Sequence, residues 1–338
     1  MIVILKSGAS EEVVQHVAER ITQLGLTPHI SRGEFRTIIG AIGEEGVALP
    51  EQLEQIAGVE KVMPIMRPYK LASREFHPDD TALEIRGVKI GGDYCAVIAG
   101  PCSVENRELL LNVARQVKAA GASILRGGAF KPRTSPYSFQ GLGKEGLEYL
   151  AQARAELDMP VITEVMDPRD VELMTDYTDI YQIGARNMQN YNLLLEVGQT
   201  NKPVFLKRGM AAPINELLMS AEYVMSRGNH QVILCERGIR TFETQTRFTL
   251  DISAVPVIRA NSHLPIFVDP SHAAGKRELV ADLALAGMAA GAHGVMVEVH
   301  TDPEQALSDG PQSMLPSGFR RLMERLRQVA EVLGRRLN

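Results

Sequence analysis

Four side chains of types that commonly bind transition metals occur in this 338-residue sequence, three at the ends of apolar segments and the fourth in the long loop after the last of these segments. They are Cys102, His272, Glu298 and Asp309. Sulfur, imidazole nitrogen and two carboxylates together suit a divalent ion, and zinc, manganese and iron all tolerate that set. A cysteine is also a common buried residue, and for Cys102 that alternative stays open. For Cys95 and Cys235 the buried, structural role is the favoured interpretation.

A second set of side chains is cationic. Arg186, Lys207 and Arg237 follow three successive apolar runs, so they would meet at one edge of a parallel sheet and there bind a phosphate group. The alternative for each of them is an ion pair with a neighbouring carboxylate such as Glu164 or Glu236. Because three cations occur together with few acidic residues in register, binding of a phosphate anion is favoured over ion pairs within the protein.

The densest polar stretch lies between Arg126 and Gly141. Its glycines and prolines restrict the backbone, while cations and hydroxyls project from it, as in loops that bind carboxylate and phosphate. The candidate ligands in this stretch are Arg126, Lys131, Arg133, Thr134 and Ser135. A solvated surface loop with incidental charge is the alternative, and it explains Arg133 alone better than it explains the whole set.

The elements that must position these residues form a repeating pattern. Eight short apolar runs between Ala96 and Val299 end on charged or polar residues, and each is followed by a helical stretch. The runs are 96–99, 124–125, 161–163, 180–183, 204–206, 232–235, 266–268 and 295–297. Strands that are apolar on both faces and separated by helices predict a parallel sheet, and eight such units predict a (β/α)8 TIM barrel. Because active sites of this fold lie at the carboxyl ends of the strands, the candidate residues should converge there.

Residues 1–66 predict a separate small domain. Apolar segments and turns in the order βαββαβ are typical of a ferredoxin-like α+β sandwich. Residues 67–81, with two prolines and many charges, are interpreted as a linker, and residues 82–338 as the catalytic barrel. Two short runs, 82–85 and 88–90, predict a hairpin that covers the barrel floor. The predicted fold class is therefore α/β, a barrel preceded by a ferredoxin-like domain.

Composition narrows the class of partner. The formal net charge is −5 and no long basic run occurs, which argues against binding to nucleic acid or to an anionic membrane surface. No apolar stretch has the length that a membrane span requires, and three cysteines without a paired framework suit a reducing compartment. We expect a cytoplasmic enzyme that acts on small anionic molecules.

Seven motifs together carry a family resemblance. They are Ala99-Gly-Pro-Cys-Ser, Lys131-Pro-Arg-Thr-Ser, Gly184-Ala-Arg, Leu206-Lys-Arg-Gly, Cys235-Glu-Arg-Gly, Asp269-Pro-Ser-His and Val297-Glu-Val-His. In combination they resemble 3-deoxy-D-arabino-heptulosonate 7-phosphate (DAHP) synthases of the type Iβ group, and the likeness runs from Lys6 to the carboxyl terminus. The resemblance implies condensation of phosphoenolpyruvate with erythrose 4-phosphate, the first step of the shikimate pathway of aromatic amino acid biosynthesis.

The resemblance also implies roles for individual residues. The metal ligands would be Cys102, His272, Glu298 and Asp309. The phosphoenolpyruvate carboxylate would be held by Arg126 and Lys131, and its phosphate by Ala185, Arg186, Lys207 and Arg237. The phosphate of erythrose 4-phosphate would be held by Arg133, Thr134 and Ser135. The catalytic candidates are Lys131, Glu164, Asp269 and His272, and the sequence does not say which is the general acid.

Three other functions remain open at this point. The related 3-deoxy-D-manno-octulosonate 8-phosphate synthase takes arabinose 5-phosphate and typically carries Ala-Asn-Arg-Ser after the loop lysine, where this chain has Pro132-Arg-Thr-Ser. A Schiff-base aldolase would use Lys207 as its nucleophile. A sensor of phosphorylated metabolites would bind without turnover.

For the ferredoxin-like domain the resemblance suggests regulation by tyrosine or phenylalanine. His29 and Ser31 end one of its predicted strands and could hold an amino acid, although an ordinary polar turn explains them nearly as well. Feedback would act by docking of this domain across a barrel mouth, that of a neighbouring subunit in a homotetramer.

Overall fold

The computed structural model describes residues 1–33, 36–43, 50–63, 68–133 and 135–338. The chain divides into two compact units, one made of residues 1–80 with 260–263, the other of residues 81–259 with 264–338. Among the helices in the described ranges, none has both the length and the apolar character needed to cross a membrane.

The first unit has the predicted ferredoxin-like order. Its elements are β1 (Ile2–Leu5), α1 (Glu11–Gln23), β2 (Thr27–Arg32), β3 (Thr37–Ile42), α2 (Pro50–Glu54) and β4 (Val59–Met63). The strands form an antiparallel sheet in the order β2-β3-β1-β4. Helix α1 begins at Ser10, whose hydroxyl accepts a hydrogen bond from the Val13 amide, and it buries Val14, Val17 and Ile21 on one face. These side chains pack with the apolar face of the sheet in a core of their own.

The second unit opens with a hairpin of β5 (Leu83–Ile85) and β6 (Val88–Ile90). Ile85 and Ile90 pack in one apolar cluster with Phe205, Phe267 and other inward-facing residues of the barrel strands. The hairpin therefore closes one end of the barrel interior, as the sequence predicted.

Eight parallel strands form the closed barrel. They are β7 (Tyr94–Gly100), β8 (Ile124–Arg126), β9 (Val161–Val165), β10 (Ile180–Ile183), β11 (Val204–Lys207), β12 (Val232–Glu236), β13 (Ile266–Val268) and β14 (Gly294–Glu298). Strand β14 pairs with β7 in parallel, with Gly294 opposite Ala96, and this pairing closes the ring. All eight predicted runs are strands, because Val, Ile, Leu and Ala at both faces of each run have apolar partners inside and outside the barrel.

Helices follow the strands around the outside of the barrel. They are α3 (Arg107–Ala120), α4 (Lys144–Leu157), α5 (Val171–Met174), α6 (Tyr191–Gly198), α7 (Ile214–Met225), α8 (Ala254–Asn261), α9 (Pro270–Ala274), α10 (Arg277–Ala289) and α11 (Pro316–Val332). Helix α3 illustrates the local signals. Asn106 caps its first turn by accepting a hydrogen bond from the Leu109 amide, and Gly121 ends it at φ 102°. A two-residue strand, β15 (Arg336–Leu337), then pairs with β7, and no pattern in the sequence predicts it.

Candidate active site

A cavity of about 260 Å³ opens at the carboxyl ends of the barrel strands. Its lining includes Arg126, Lys131, Pro132, Arg133, Ser135, Ser138, Glu164, Gln182, Gly184, Ala185, Arg186, Lys207, Met210, Arg237, Arg247, His272 and Asp309. Seven of these residues are cations and two are acids. A cavity with this imbalance favours small molecules with several negative charges.

Two of the three strand-end cations, Lys207 and Arg237, have different surroundings. Lys207 Nζ lies 2.5 Å from Asp269 Oδ2, so it is held in an ion pair beneath the cavity. The guanidinium of Arg237 stacks on the ring of Phe248 at 4.3 Å, and its Nη1 atom is buried without a hydrogen-bond partner among the described residues. Burial also lowers the pKa of Arg237. An anion in the cavity would satisfy this atom.

The carboxylates that could have neutralised these cations are mostly engaged elsewhere. Glu236 pairs with Arg208, whose Nη1 atom lies 2.8 Å from Glu236 Oε2 and 2.8 Å from Asp251 Oδ2. Glu236 also accepts a hydrogen bond from the Gly238 amide at 2.6 Å. This buried network fixes the strand ends that carry Lys207 and Arg237 without occupying the cavity.

The four candidate metal ligands lie together at one side of the cavity. One sulfur, one imidazole nitrogen and two carboxylate oxygens, from Cys102, His272, Glu298 and Asp309, lie within 4.8 Å of one another. Three come from the ends of β7, β13 and β14, which neighbour each other in the closed barrel. The fourth, Asp309, stands in a left-handed backbone conformation at φ 51°, which few residues other than glycine adopt. The donor types and their spacing fit a divalent transition ion.

His272 is oriented for such a role. Its Nδ1 atom lies 2.8 Å from Asp269 Oδ2, and its Nε2 atom faces Glu298 Oε1 at 3.4 Å. Burial lowers the pKa of His272, although both carboxylates oppose the shift. A neutral imidazole whose Nδ1–H is held by a carboxylate presents Nε2 as an electron-pair donor, the usual arrangement of a histidine ligand.

Cys102 is buried between two charged groups. Its sulfur lies 3.0 Å from Asp309 Oδ2 and 3.0 Å from Lys131 Nζ. Burial, together with the negative charges of Glu298 and Asp309, raises the pKa of this thiol to about 12. The protonated sulfur can donate to Asp309, and a bound cation would replace that proton.

Glu164 lies at the cavity wall beside Gly184. Gln182 Nε2 donates to Glu164 Oε2 at 3.2 Å. A Cβ atom at position 184 would overlap Glu164 Oε1, so the glycine leaves the space that this carboxylate occupies. Glu164 is thus a carboxylate with a fixed position at the cavity surface.

The remaining predicted residues have separate locations. Asp269 is fully buried beneath the cavity, with Lys207 and His272 on its oxygens. Thr134 lies outside the described residues. His29 and Ser31 belong to β2 of the first unit, where burial lowers the pKa of His29 and its ring packs edge-on against Phe76 at 5.5 Å.

Arg247 and Gln312 are among the residues at the site that were not identified from the sequence. Arg247, in the loop after β12, lines the cavity and donates to Asp309 Oδ1 at 3.1 Å. Gln312, after β14, donates to Glu298 Oε2 at 2.7 Å. The other site residues were predicted because most of them directly follow an apolar run. Arg247 and Gln312 do not follow such a run, so this pattern does not identify them.

Comparison with known proteins places both units in one group. The model of the DAHP synthetase I family matches residues 70–334, and that of the DAHP synthase ferredoxin-like domain matches residues 1–67. The phospho-2-dehydro-3-deoxyheptonate aldolase of Thermotoga maritima is 52% identical over 338 residues, the full length of both chains. Its crystal structure superimposes with a TM-score of 0.79, at 51% identity, and covers 100% of this chain and 98% of that one.

More distant relatives are named for a different activity. The 2-dehydro-3-deoxyphosphooctonate aldolase of Syntrophobacter fumaroxidans is 33% identical over 268 residues, covering 74% of this chain and 92% of its own. A truncated form of the Thermotoga maritima synthase has also been solved, and it matches 79% of this chain at 52% identity with a TM-score of 0.75.

Proposed function

Because this chain belongs to the DAHP synthetase I family and is an enzyme of the 3-deoxy-7-phosphoheptulonate synthase class, we propose that its reaction takes place in the cavity at the barrel mouth. The enzyme condenses phosphoenolpyruvate with erythrose 4-phosphate to give DAHP and inorganic phosphate. The observation that carries the assignment to this cavity is the juxtaposition of a cluster of metal-ligand types with seven cations.

Phosphoenolpyruvate binds across the cationic part of the cavity. Arg126 and Lys131 hold its carboxylate, because both are buried cations beside the metal cluster. Its phosphate lies against the backbone of Ala185 and the side chains of Arg186, Lys207 and Arg237. The unpaired Nη1 atom of Arg237 supports this placement, since a phosphate oxygen would complete its hydrogen bonding.

Erythrose 4-phosphate enters on the other side of Lys131. Arg133 and Ser135 line the cavity there, and together with Thr134 they bind the sugar phosphate. Pro132 restricts the backbone between the lysine and these residues, which fixes the depth to which an aldehyde can reach. This loop therefore selects the length of the sugar.

The chemistry is an aldol-like condensation followed by loss of phosphate. The electrons of the enol double bond form a carbon–carbon bond to the aldehyde carbon, water adds to the cationic carbon that results, and phosphate leaves by cleavage of its bond to that carbon. A divalent ion on Cys102, His272, Glu298 and Asp309 would supply Lewis acidity toward the aldehyde, and manganese, zinc and iron all suit the donors. The cations of the cavity hold the two substrates in reacting orientation.

Proton transfer falls to groups at the cavity surface. Lys131 lies beside the metal cluster and donates a proton to the aldehyde oxygen as it gains charge. Glu164, fixed by Gln182, accepts a proton from the water that adds. Asp269 has no exposed surface and acts through His272, whose ring it orients.

Substrate preference is the direct test. Phosphate release from phosphoenolpyruvate should be at least about tenfold more efficient in kcat/KM with erythrose 4-phosphate than with arabinose 5-phosphate, a difference of about 1.4 kcal/mol in transition-state binding. Equal values for the two sugars would instead support the octulosonate synthase activity of the more distant relatives. A reducible imine trapped on Lys207 by borohydride would support the Schiff-base route. Substrate binding without turnover would leave only a sensor.

The ferredoxin-like unit is a regulatory domain in this proposal. It responds to tyrosine or phenylalanine through the region of His29 and Ser31, and the enzyme works as a homotetramer in the cytoplasm. The support is an apolar cluster of its own and the lack of a catalytic candidate in its described residues.

A further inference from the structure

Arg247 and Gln312 connect the carboxylates of Asp309 and Glu298, the two acidic members of the cluster of candidate metal ligands. A single atom, Arg247 Nη1, donates to Asp309 Oδ1 at 3.1 Å and to Gln312 Oε1 at 3.0 Å. The amide nitrogen of Gln312 then donates to Glu298 Oε2 at 2.7 Å. The three hydrogen bonds form one chain from Asp309 to Glu298.

This chain separates the two oxygens of each carboxylate. Asp309 Oδ2 faces Cys102 Sγ at 3.0 Å, and Glu298 Oε1 faces His272 Nε2 at 3.4 Å. Glu298 Oε1 also accepts a hydrogen bond from Arg126 Nη1. The outer oxygens, Oδ1 and Oε2, are the ones bound by Arg247 and Gln312. Each carboxylate is thus held with one oxygen toward the ion site and the other away from it.

Asp309 needs such support more than the other three ligands do. Its backbone is in the left-handed region at φ 51° and ψ 32°, and it lies in a loop between two short helical turns rather than at a strand end. Conformations of this kind cost free energy and persist only where surrounding contacts impose them. The contact with Arg247 comes from a different loop, after β12, so it ties the two loops together.

We propose that Arg247 and Gln312 are positioning residues of the metal site, which hold Asp309 and Glu298 so that each presents a single oxygen to the ion. Arg247 also compensates the negative charge of Asp309 before an ion arrives. The inference rests on the proposed function, because it takes the four-residue cluster as the metal site. Groups that orient metal ligands in this way typically contribute about 10- to 100-fold in metal affinity.

The experiment measures manganese affinity on the full-length enzyme without substrates, from the free Mn²⁺ signal in electron paramagnetic resonance titrations. Arg247→Met and Gln312→Met should each raise the Kd for Mn²⁺ by about 10- to 100-fold. Arg247→Lys, which keeps the charge, should recover part of the loss. Arg240→Met is the matched control, because Arg240 is an exposed arginine of the same loop, and its Kd should equal that of the parent enzyme.

A double variant and kinetic measurements on the single variants complete the test. The double variant should lose little more affinity than either single variant, because the two residues act as one chain. Saturating Mn²⁺ should restore most of kcat in Arg247→Met. An unchanged Kd for Mn²⁺ in Arg247→Met, with a raised KM for phosphoenolpyruvate or the sugar, would overturn the proposal and make Arg247 a substrate ligand. A parent enzyme that binds Mn²⁺ but does not convert erythrose 4-phosphate would refute the proposed function alone.

Discussion

The sulfur of Cys102 has the surroundings of a ligand, and the sulfurs of the other two cysteines do not. Lys131 and Asp309 both contact Cys102 within the cluster of ligand types. Cys235 lies in the apolar interior of the barrel, and Cys95 is fully buried near the Ala292 carbonyl. The sequence left two roles open for Cys102, and its neighbours in space favour the ligand.

Cys102→Ala removes the only sulfur donor of the cluster. We expect a chelator to abolish turnover of the parent enzyme, and manganese or zinc to restore it. The variant should lose more than about 100-fold in kcat at any metal concentration, a larger loss than the change of a residue that only orients a ligand would cause. Phosphate release is the measurement. Cys95→Ala is the control and should keep activity. Full activity in Cys102→Ala would remove this residue from the metal site.

The two core cysteines allow a prediction about pH. Burial raises the pKa of Cys95, and raises that of Cys235 well above its usual value. Since the thiolate is the reactive form, a raised pKa leaves little of it at pH 8. Iodoacetamide at pH 8 should therefore spare both residues in the native enzyme and modify both after unfolding in guanidinium, as measured by peptide mass spectrometry. Rapid modification of the folded enzyme at either position would show that the side chain there is not buried in the native state.

At the scale of elements, two helical glycines differ in what lies beside them. Gly287 brings α10 against β13, where a Cβ atom would overlap a methyl group of Val268. Gly318, in the first turn of α11, has its nearest neighbour at 3.6 Å from an added Cβ, an ordinary van der Waals distance. The same chemical change should therefore have opposite effects on stability at the two positions.

We expect Gly287→Ala to destabilise the enzyme by about 1–3 kcal/mol through overpacking. Gly318→Ala should stabilise it by about 0.5–1 kcal/mol, because alanine loses less backbone entropy in a helix. Thermal unfolding of the two variants beside the parent enzyme gives the signs directly. Shifts of the same sign in both would mean that helix propensity, rather than the contact with β13, decides the effect.

Elements with a strong local signal were predictable, and those formed by distant contacts were not. The eight barrel strands are apolar on both faces, and their charged ends are adjacent in sequence to the pattern that identifies them. The pair of Arg126 and Glu298 joins strands far apart in the chain, so only barrel closure brings these residues together. Arg247 and Gln312 lie in long loops. Loops lack the hydrophobic periodicity from which the orientation of a side chain can be predicted. Strand β15 is two residues long and pairs with Tyr94 and Cys95 of β7, which precede the residues of β7 that pair with β8 and β14.

At the scale of the whole molecule, the two units have separate cores. One apolar cluster of the first unit is formed by residues between Met1 and Val62. Residues 68–80, which the sequence suggested as linker, cluster with this first unit, and Phe76 lies against Gly40 there. Separate cores are the condition under which one domain folds without the other.

Truncation tests the regulatory proposal. A chain that starts near Arg67 should keep turnover, because every cavity residue lies in the second unit, and should lose inhibition by tyrosine or phenylalanine. In a chain that starts near Arg67, Phe76 remains but has lost its partners in the first unit. A second truncation, which starts at Thr81, removes Phe76 as well and is the control for solubility. Initial rates of phosphate release with and without each amino acid decide the outcome. Equal inhibition of the truncated enzyme, or an intact enzyme that ignores both amino acids, would make the domain purely structural.

The hairpin of β5 and β6 has a consequence for how the chain is made. Its apolar side chains, Leu83, Ile85 and Ile90, precede the barrel in sequence, yet they belong to one apolar cluster with residues of all eight barrel strands, Met296 among them. A ribosome therefore exposes these side chains long before their last partners are synthesised. Until the ring closes, the nascent chain carries an apolar segment without its final cover, which is the kind of surface that chaperones bind and that aggregates when they do not.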